Sequence, residues 1–340
     1  MSGFWWGRRV LVTGAGGFIG AHVASQLAAH GARVTATTAT RASPERLAML
    51  YGLGCERMGP VDLSAPEACA AACRGQEIVF NLAHADGSVA FKRSRPAWIF
   101  RRNTLITLNM LEAAAAAGVE RTLIVSSSEV YPADASAPMS ESAAAATLTD
   151  RADDGYAWSK RLSELAAGLY AREHGMKVAV ARPNNVYGPG DHFDLERSRV
   201  IPSLIRSVFD SSDRLLVWGS GQQVRTFLYV EDFARGVLDL TERYAVGDPV
   251  NFGGEEEVTI LRLAELIVRL SGRRLAVVCD PRKPAGPPRR TVDTTKAREV
   301  LGYRPWVPLE AGLRLTIAGY ENTMRRQATG TAAAAAGQGR

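Results

Sequence analysis

Tyr156 and Lys160 stand four residues apart in YAWSK, a spacing that puts a phenol and an ammonium on one face of a helix. Upstream, SSSEVYP (Ser126 to Pro132) gathers hydroxyls directly after the apolar run ending at Val125. Near the N-terminus, VLVTGAGGFIG (Val10 to Gly20) follows a β-branched run with glycines at 14, 17 and 20. Missing side chains there let a phosphate approach backbone N–H groups, and a helix opening near Phe18 and Ile19 turns its positive end toward it. This is a pyrophosphate cradle. A phenol has a pKa of about 10 in water, but beside a fixed ammonium and an oxidised nicotinamide its anion is favoured. It then serves as the base for oxidation of an alcohol. YxxxK alone is common in helices, so its weight comes from the order glycine turn, serine cluster, YxxxK.

The elements that must position these groups alternate. Val10–Val12, Arg33–Thr37, Ile78–Asn81 and Thr122–Ser126 read as strands. Helices are expected from Phe18 to about Ala29, near Pro44–Tyr51, over Asn103–Ala117 and from Tyr156 to about His174. Such alternation predicts an α/β fold with a Rossmann-type doubly wound parallel sheet, whose ligands sit at the carboxyl ends of the strands. Residues 1–183 are expected to form the dinucleotide-binding domain, to which the chain returns at about 225–252. A smaller interleaved C-terminal lobe, 184–224 and 253–325, would cap the substrate. Residues 326–340 read as a disordered tail.

The second strand of such a fold normally ends in a carboxylate that takes the ribose hydroxyls. Here Thr38 stands in that place, with Thr37, Thr40 and the cation Arg41 beside it. A ribose 2′-phosphate would find donors instead of repulsion, which favours NADP, with NAD as the alternative. Asp62, in VDLS at another strand end, is placed to meet the adenine amino group.

The chain carries 41 Lys and Arg against 35 Asp and Glu. These charges are spread along the sequence, with no sign of a nucleic-acid-binding module, and suit a phosphate-bearing substrate. Cys55, Cys69, Cys73 and Cys279 form no CxxC pair, and no metal is expected. MSGFWWGRR lacks the apolar core of a signal peptide, and no run approaches a membrane span, so the cytoplasm is the expected compartment.

Together with VDL (61–63, including Leu63), NLAH (81–84, including Ala83), RPNNVYGPG (182–190), WGSGQQVRTFLYVEDFARG (218–236) and PRRTVDTTKAREVLGYRP, these motifs resemble the extended short-chain dehydrogenase/reductases over roughly residues 8 to 322. Those are the NAD(P)-dependent nucleotide-sugar epimerases and dehydratases. APMSES, GPGDHF, SRVIPSL and DPRKPAGPPRR look most like GDP-fucose synthase and related epimerases. The resemblance makes Tyr156 the proton carrier, Lys160 its partner and ribose ligand, and Ser127 the hydroxyl that positions the sugar. It places Ser128, Asn185 and Val200 at the substrate. It also makes Arg225, with Arg290 or Arg289, a clamp for the diphosphate, and the helices at 103–117 and 156–170 a homodimer interface.

Two positions depart from the fucose-synthase pattern. Glu129 and Arg199 replace the Cys and His that invert carbons beside a 4-keto group in that enzyme. A plain epimerase that removes hydride from C4, holds the ketone and returns hydride is therefore the leading expectation. Glu129 keeps open a decarboxylase or 4,6-dehydratase, and an NADPH-dependent 4-keto-sugar epimerase/reductase also fits. A non-catalytic NADP-sensing protein is the alternative of another class.

Overall fold

The computed structural model describes residues 3–38, 42, 44–145, 153–194 and 198–337. From the N-terminus come β1 (Arg9–Thr13), α1 (Phe18–Ala29), β2 (Arg33–Thr38), α2 (Pro44–Gly52), β3 (Glu56–Pro60), α3 (Pro66–Cys73), β4 (Ile78–Asn81), α4 (Val89–Ser94), α5 (Pro96–Ala116), β5 (Arg121–Val125), α6 (Gly155–His174) and β6 (Lys177–Pro183). Next are β7 (Val186–Tyr187), α7 (Val200–Asp210), β8 (Arg214–Trp218), β9 (Val224–Arg225), β10 (Leu228–Tyr229), α8 (Val230–Arg243) and β11 (Pro249–Phe252). The chain closes with β12 (Val258–Thr259), α9 (Ile260–Leu270), β13 (Ala276–Asp280), β14 (Arg289–Arg290), α10 (Thr295–Leu301) and α11 (Leu309–Gly337).

Seven parallel strands form the central sheet in the order β11-β6-β5-β4-β1-β2-β3. Strands buried on both faces need apolar side chains throughout, and Val10, Leu11, Val12, Ile78, Val79 and Phe80 meet that need. The order reverses between β1 and β4, which opens a crevice at their carboxyl ends. One hydroxyl ties those ends together: Thr13 Oγ1 donates to Asn81 Oδ1 at 2.8 Å and accepts from the N–H groups of Leu82 and Ala83, both at 3.1 Å.

A second core lies beyond the sheet, where Ile201, Ile205 and Val208 of α7 pack with Leu263 and Ile267 of α9 and Leu313 of α11. Small pairings hold this part together, β8 with β13 in parallel and β9 between β12 and β14. β11 returns from it to the edge of the main sheet, paired to β6. At the C-terminal end α11 runs through Gly337. Among the described residues no helix is long and apolar enough to cross a membrane.

Candidate active site

The loop between β1 and α1 is shaped by absent side chains. Gly14 has φ +67°, and a Cβ on it would stand 3.0 Å from the backbone nitrogen and Cα of Ala83. A Cβ on Gly20 would strike the carbonyl of Gly14, so the helix packs onto the turn only with glycine there. Gly17 caps α1 without any side-chain hydrogen bond. The N–H groups of Phe18, Ile19 and Gly20, in the first helical turn, therefore face the crevice without an intrahelical acceptor. The residues present fit the pyrophosphate of a dinucleotide. The Phe18 ring is buried in the core beside His22, so Phe18 offers its backbone only.

Thr38 ends β2 fully buried, against Gly16 of this loop. Arg41 lies outside the described residues. Asp62 is exposed, accepting from Ser64 and from Arg102 of α5 at 3.2 Å; those Ser64 hydrogen bonds, then Arg102, hold its carboxyl below the usual range. Leu63 is buried in the core with Cys69 and Cys73, so its side chain does not face the crevice. Burial pushes both of those thiols up to about 12. Among the described residues no three His, Cys, Asp or Glu side chains cluster as a metal set.

Next to the crevice is a cavity of about 870 Å³, lined by Ser127, Ser128, Glu129, Tyr156, Asn185, Arg199, Val200, Arg225 and Arg290 among others, and reaching Ile19. Its size is at the upper end of small-molecule sites. Tyr156 and Lys160, both 5% exposed, project from α6. The Lys160 ammonium donates to the Val125 carbonyl at 2.8 Å and sits 5.6 Å from the Tyr156 ring. Burial lowers its pKa to about 8, while Asp86 opposes the fall. Tyr156 is raised well above its ordinary value, first by burial and then by the Asp86 carboxylate; Arg199 and a hydrogen bond from Ser127 oppose this only in part. Desolvation and the Asp86 carboxylate thus both favour the neutral phenol, while the expected anion depends also on an oxidised nicotinamide beside it.

The serine cluster is braced from behind. Ser126 Oγ donates to Glu164 at 2.6 Å, and Arg182 grips the same carboxylate with two bonds, at 2.6 and 2.8 Å. Arg182 also donates to the Tyr131 hydroxyl, which donates to Asn251. Ser128 Oγ donates to Asn184, leaving Ser127 turned to the cavity. Asn185 has φ +46°, and its side-chain amide donates to the Thr226 carbonyl at 3.0 Å.

Register decides between the two candidate arginines. β14 pairs with β9 so that Arg290 lies opposite Arg225, and the two guanidiniums share one face at the cavity. Arg289 points to the other face, as alternate residues of a strand must, and pairs with Glu257 at 2.6 Å. Unlike Arg225 and Arg290, it does not line the cavity. Arg290 reaches the Ser128 carbonyl at 3.0 Å and Glu129 at 3.5 Å. Arg199 is paired with Asp86 at 2.5 Å.

Several residues at the site drew no role from the sequence. Asp86, Lys92 and His84 surround Tyr156, and Arg46 donates to the carbonyls of Gly17 and Gly190. His84 closes the NLAH motif, but the only sequence signal for Asp86 is its place just after β4, at the carboxyl end of a strand, and Lys92 in α4 has none.

Comparison with known proteins agrees with this geometry. Residues 10–253 match the model of the NAD dependent epimerase/dehydratase family. A dTDP-4-dehydro-6-deoxy-D-allose reductase of Streptomyces sp. is 37% identical over 320 residues, 93% of this chain and 97% of the relative. GDP-mannose 3,5-epimerase 1 of Oryza sativa subsp. japonica is 33% identical over 312 residues, 91% and 80% of the two chains. The structure of UDP-glucose 4-epimerase with UDP-glucose from Thermotoga maritima superposes with a TM-score of 0.81 at 27% identity, covering 93% of this chain and 99% of that one. With its glycine cradle, its Tyr156–Lys160 pair and a family match over most of its length, this chain belongs to the NAD dependent epimerase/dehydratase family.

Proposed function

We propose that this enzyme moves hydride at C4 of a sugar carried on a nucleoside diphosphate, and moves no proton at the carbons beside it. The observation that carries the reading is where the charges are. Tyr156 and Ser127 line the cavity with Lys160 packed behind Tyr156, whereas Glu129 is drawn to Arg290 and Arg199 is engaged by Asp86. The two side chains standing in place of an acid/base pair are thus both held in ion pairs. A nicotinamide dinucleotide, when bound, supplies the hydride acceptor and donor. Gly14, Gly17 and the N–H groups of Phe18 to Gly20 would hold its pyrophosphate, and Lys160 its ribose. Ser127 orients the sugar hydroxyl, Tyr156 exchanges a proton with the C4 oxygen, and Arg225 with Arg290 binds the diphosphate. Arg suits that task because its planar fork matches phosphate oxygens.

If the ketone turns over between two transfers, the product is the C4 epimer. Reduction of a 4-ketone is the second reading. The protonated state of Tyr156 favours it, since a neutral phenol is the form that donates to a carbonyl oxygen. The 37% identity to a reductase whose name specifies a 4-dehydro sugar favours it as well. Incubation with UDP-, GDP-, dTDP- and CDP-sugars, including 4-keto-6-deoxy forms, separates the outcomes by product mass. Unchanged mass means an epimer and two added hydrogens a reduction. Loss of water or of carbon dioxide would overturn the reading in favour of a dehydratase or decarboxylase, and binding without turnover would favour a sensor.

The preferred cofactor is NADP, because Thr38 leaves no carboxylate at the end of β2 to repel a 2′-phosphate. Equilibrium titration with both cofactors tests this, and tighter NAD binding contradicts it. The enzyme acts in the cytoplasm as a homodimer through α5 and α6.

A further inference from the structure

Four charged or titratable side chains that the mechanism above leaves unused crowd the mouth side of the Tyr156 ring. The Lys92 ammonium, from α4, lies 4.2 Å above the ring centroid. Asp86 Oδ1 is 3.3 Å from that ammonium, and Asp86 Oδ2 is 2.5 Å from the Arg199 guanidinium at the start of α7. His84 Nε2 stands 3.9 Å from the same carboxylate, and its ring is 6.4 Å from the Tyr156 ring. Asp86 is held in place from both sides. Its neighbour Ala85 is bonded through N–H and C=O to the Asn103 side-chain amide of α5, at 2.7 and 3.0 Å, and Asp86 Oδ1 also accepts from the Gly87 N–H at 2.8 Å.

The charges facing the phenol come from every element around it. On its own helix are Lys160 and the helix cap Asp154. His84 and Asp86 follow β4, Lys92 comes from α4, and Glu129 lies in the turn at 128–130. Arg199 precedes α7 and interacts in turn with Asp191. Lys92, Lys160 and Arg199 are three cations about one phenol, and cations at such range draw it toward its anion. Asp86 is the carboxylate that touches two of them.

We propose that Asp86 is a positioning residue for proton transfer: lodged between Lys92 and Arg199, it offsets their charge beside Tyr156 and so sets how firmly the phenol holds the proton it exchanges with the oxygen on C4. This rests on the C4 hydride-transfer reading and adds to it the group that sets the protonation of its acid. Burial of the carboxylate opposes its charge, but Lys92 and Arg199 outweigh that and hold Asp86 well below the usual carboxylate range. The offset is therefore present throughout the working pH range. It also supplies a reason for arginine at 199: in this chain that side chain is the partner that fixes Asp86.

Asp86→Asn keeps size and hydrogen bonding and removes the charge. The first measurement is the tyrosinate absorbance of the free enzyme against a Tyr156→Phe blank, which needs neither sugar nor turnover. In the Asn variant Tyr156 should ionise at least about one pH unit lower than in wild type. The second is the same absorbance titration in Lys92→Met, which removes a cation and should move Tyr156 ionisation up. The alkaline limb of turnover follows the Lys160 ammonium, which Asp86 and Lys92 also move, and so does not report Tyr156. A merely structural role would lower the rate without opposite shifts. An unmoved Tyr156 titration in a folded Asn variant overturns the proposal, and so does the absence of an upward shift in Lys92→Met should the Asn variant fail to fold. If no nucleotide sugar reacts, the C4 reading fails while the absorbance titration still judges the role of Asp86.

Discussion

A phenol beside two ammonium groups would ordinarily titrate low, yet burial and the Asp86 carboxylate hold Tyr156 in its neutral form. That form is the proton donor, and its loss should be costly. Tyr156→Phe is expected to lower turnover at least about a hundredfold, as for a lost general acid, while cofactor titration stays near normal. A variant keeping most activity would remove the assigned role. Lys160 gives a pH dependence of known sign. Its value is depressed to about 8, so the ammonium is present below that pH and lost above it. Turnover should therefore decline as pH rises through about 8, and a rate still rising there contradicts a role for the charged form. The pairing of Tyr156 with Lys160 on one face of α6 was legible from a spacing of four. Asp86 and Lys92 were not, because contacts across a loop carry no periodicity. Their signal is spatial.

At the scale of elements, strands and helices with a strong period were readable and short ones were not. Val10–Val12 and Ile78–Phe80 are recognisable as buried strands because both faces are covered and every residue is apolar. β9 and β14 are two residues each, too short for any pattern, and yet their pairing decides that Arg290 and not Arg289 joins Arg225. The Arg182–Glu164 pair links β6 to α6 and, through Ser126 and Tyr131, fixes the turn that presents Ser127. Both partners are buried, with side chains 5% and 8% exposed. Removing one charge leaves the other uncompensated, so Glu164→Gln should destabilise the fold by about 3–5 kcal/mol. Denaturant unfolding measures this, and a loss under about 1 kcal/mol would show that Arg182 finds another partner.

For the whole molecule, the sheet order puts the switch between β1 and β4 beside the glycine loop, while the second core carries Arg225 and Arg290 across the cavity from it. The glycine loop and the two arginines thus lie toward one cavity, where the proposed function brings substrate and cofactor together. On the far side, α5 and α6 expose Phe100, Trp158, Leu165 and Leu169 together, an apolar surface suited to a second copy of the chain. Light scattering at micromolar concentration should give twice the mass of the 36.6 kDa chain, and a monomer mass would contradict the dimer. The central claim, hydride exchange at C4 with no proton moved beside it, is tested most directly by turnover in deuterium oxide with NMR of the sugar ring. Product altered at C4 with protium retained at both flanking carbons is the expected result; deuterium at either flanking carbon would contradict the account and make Glu129 or Arg199 a proton carrier.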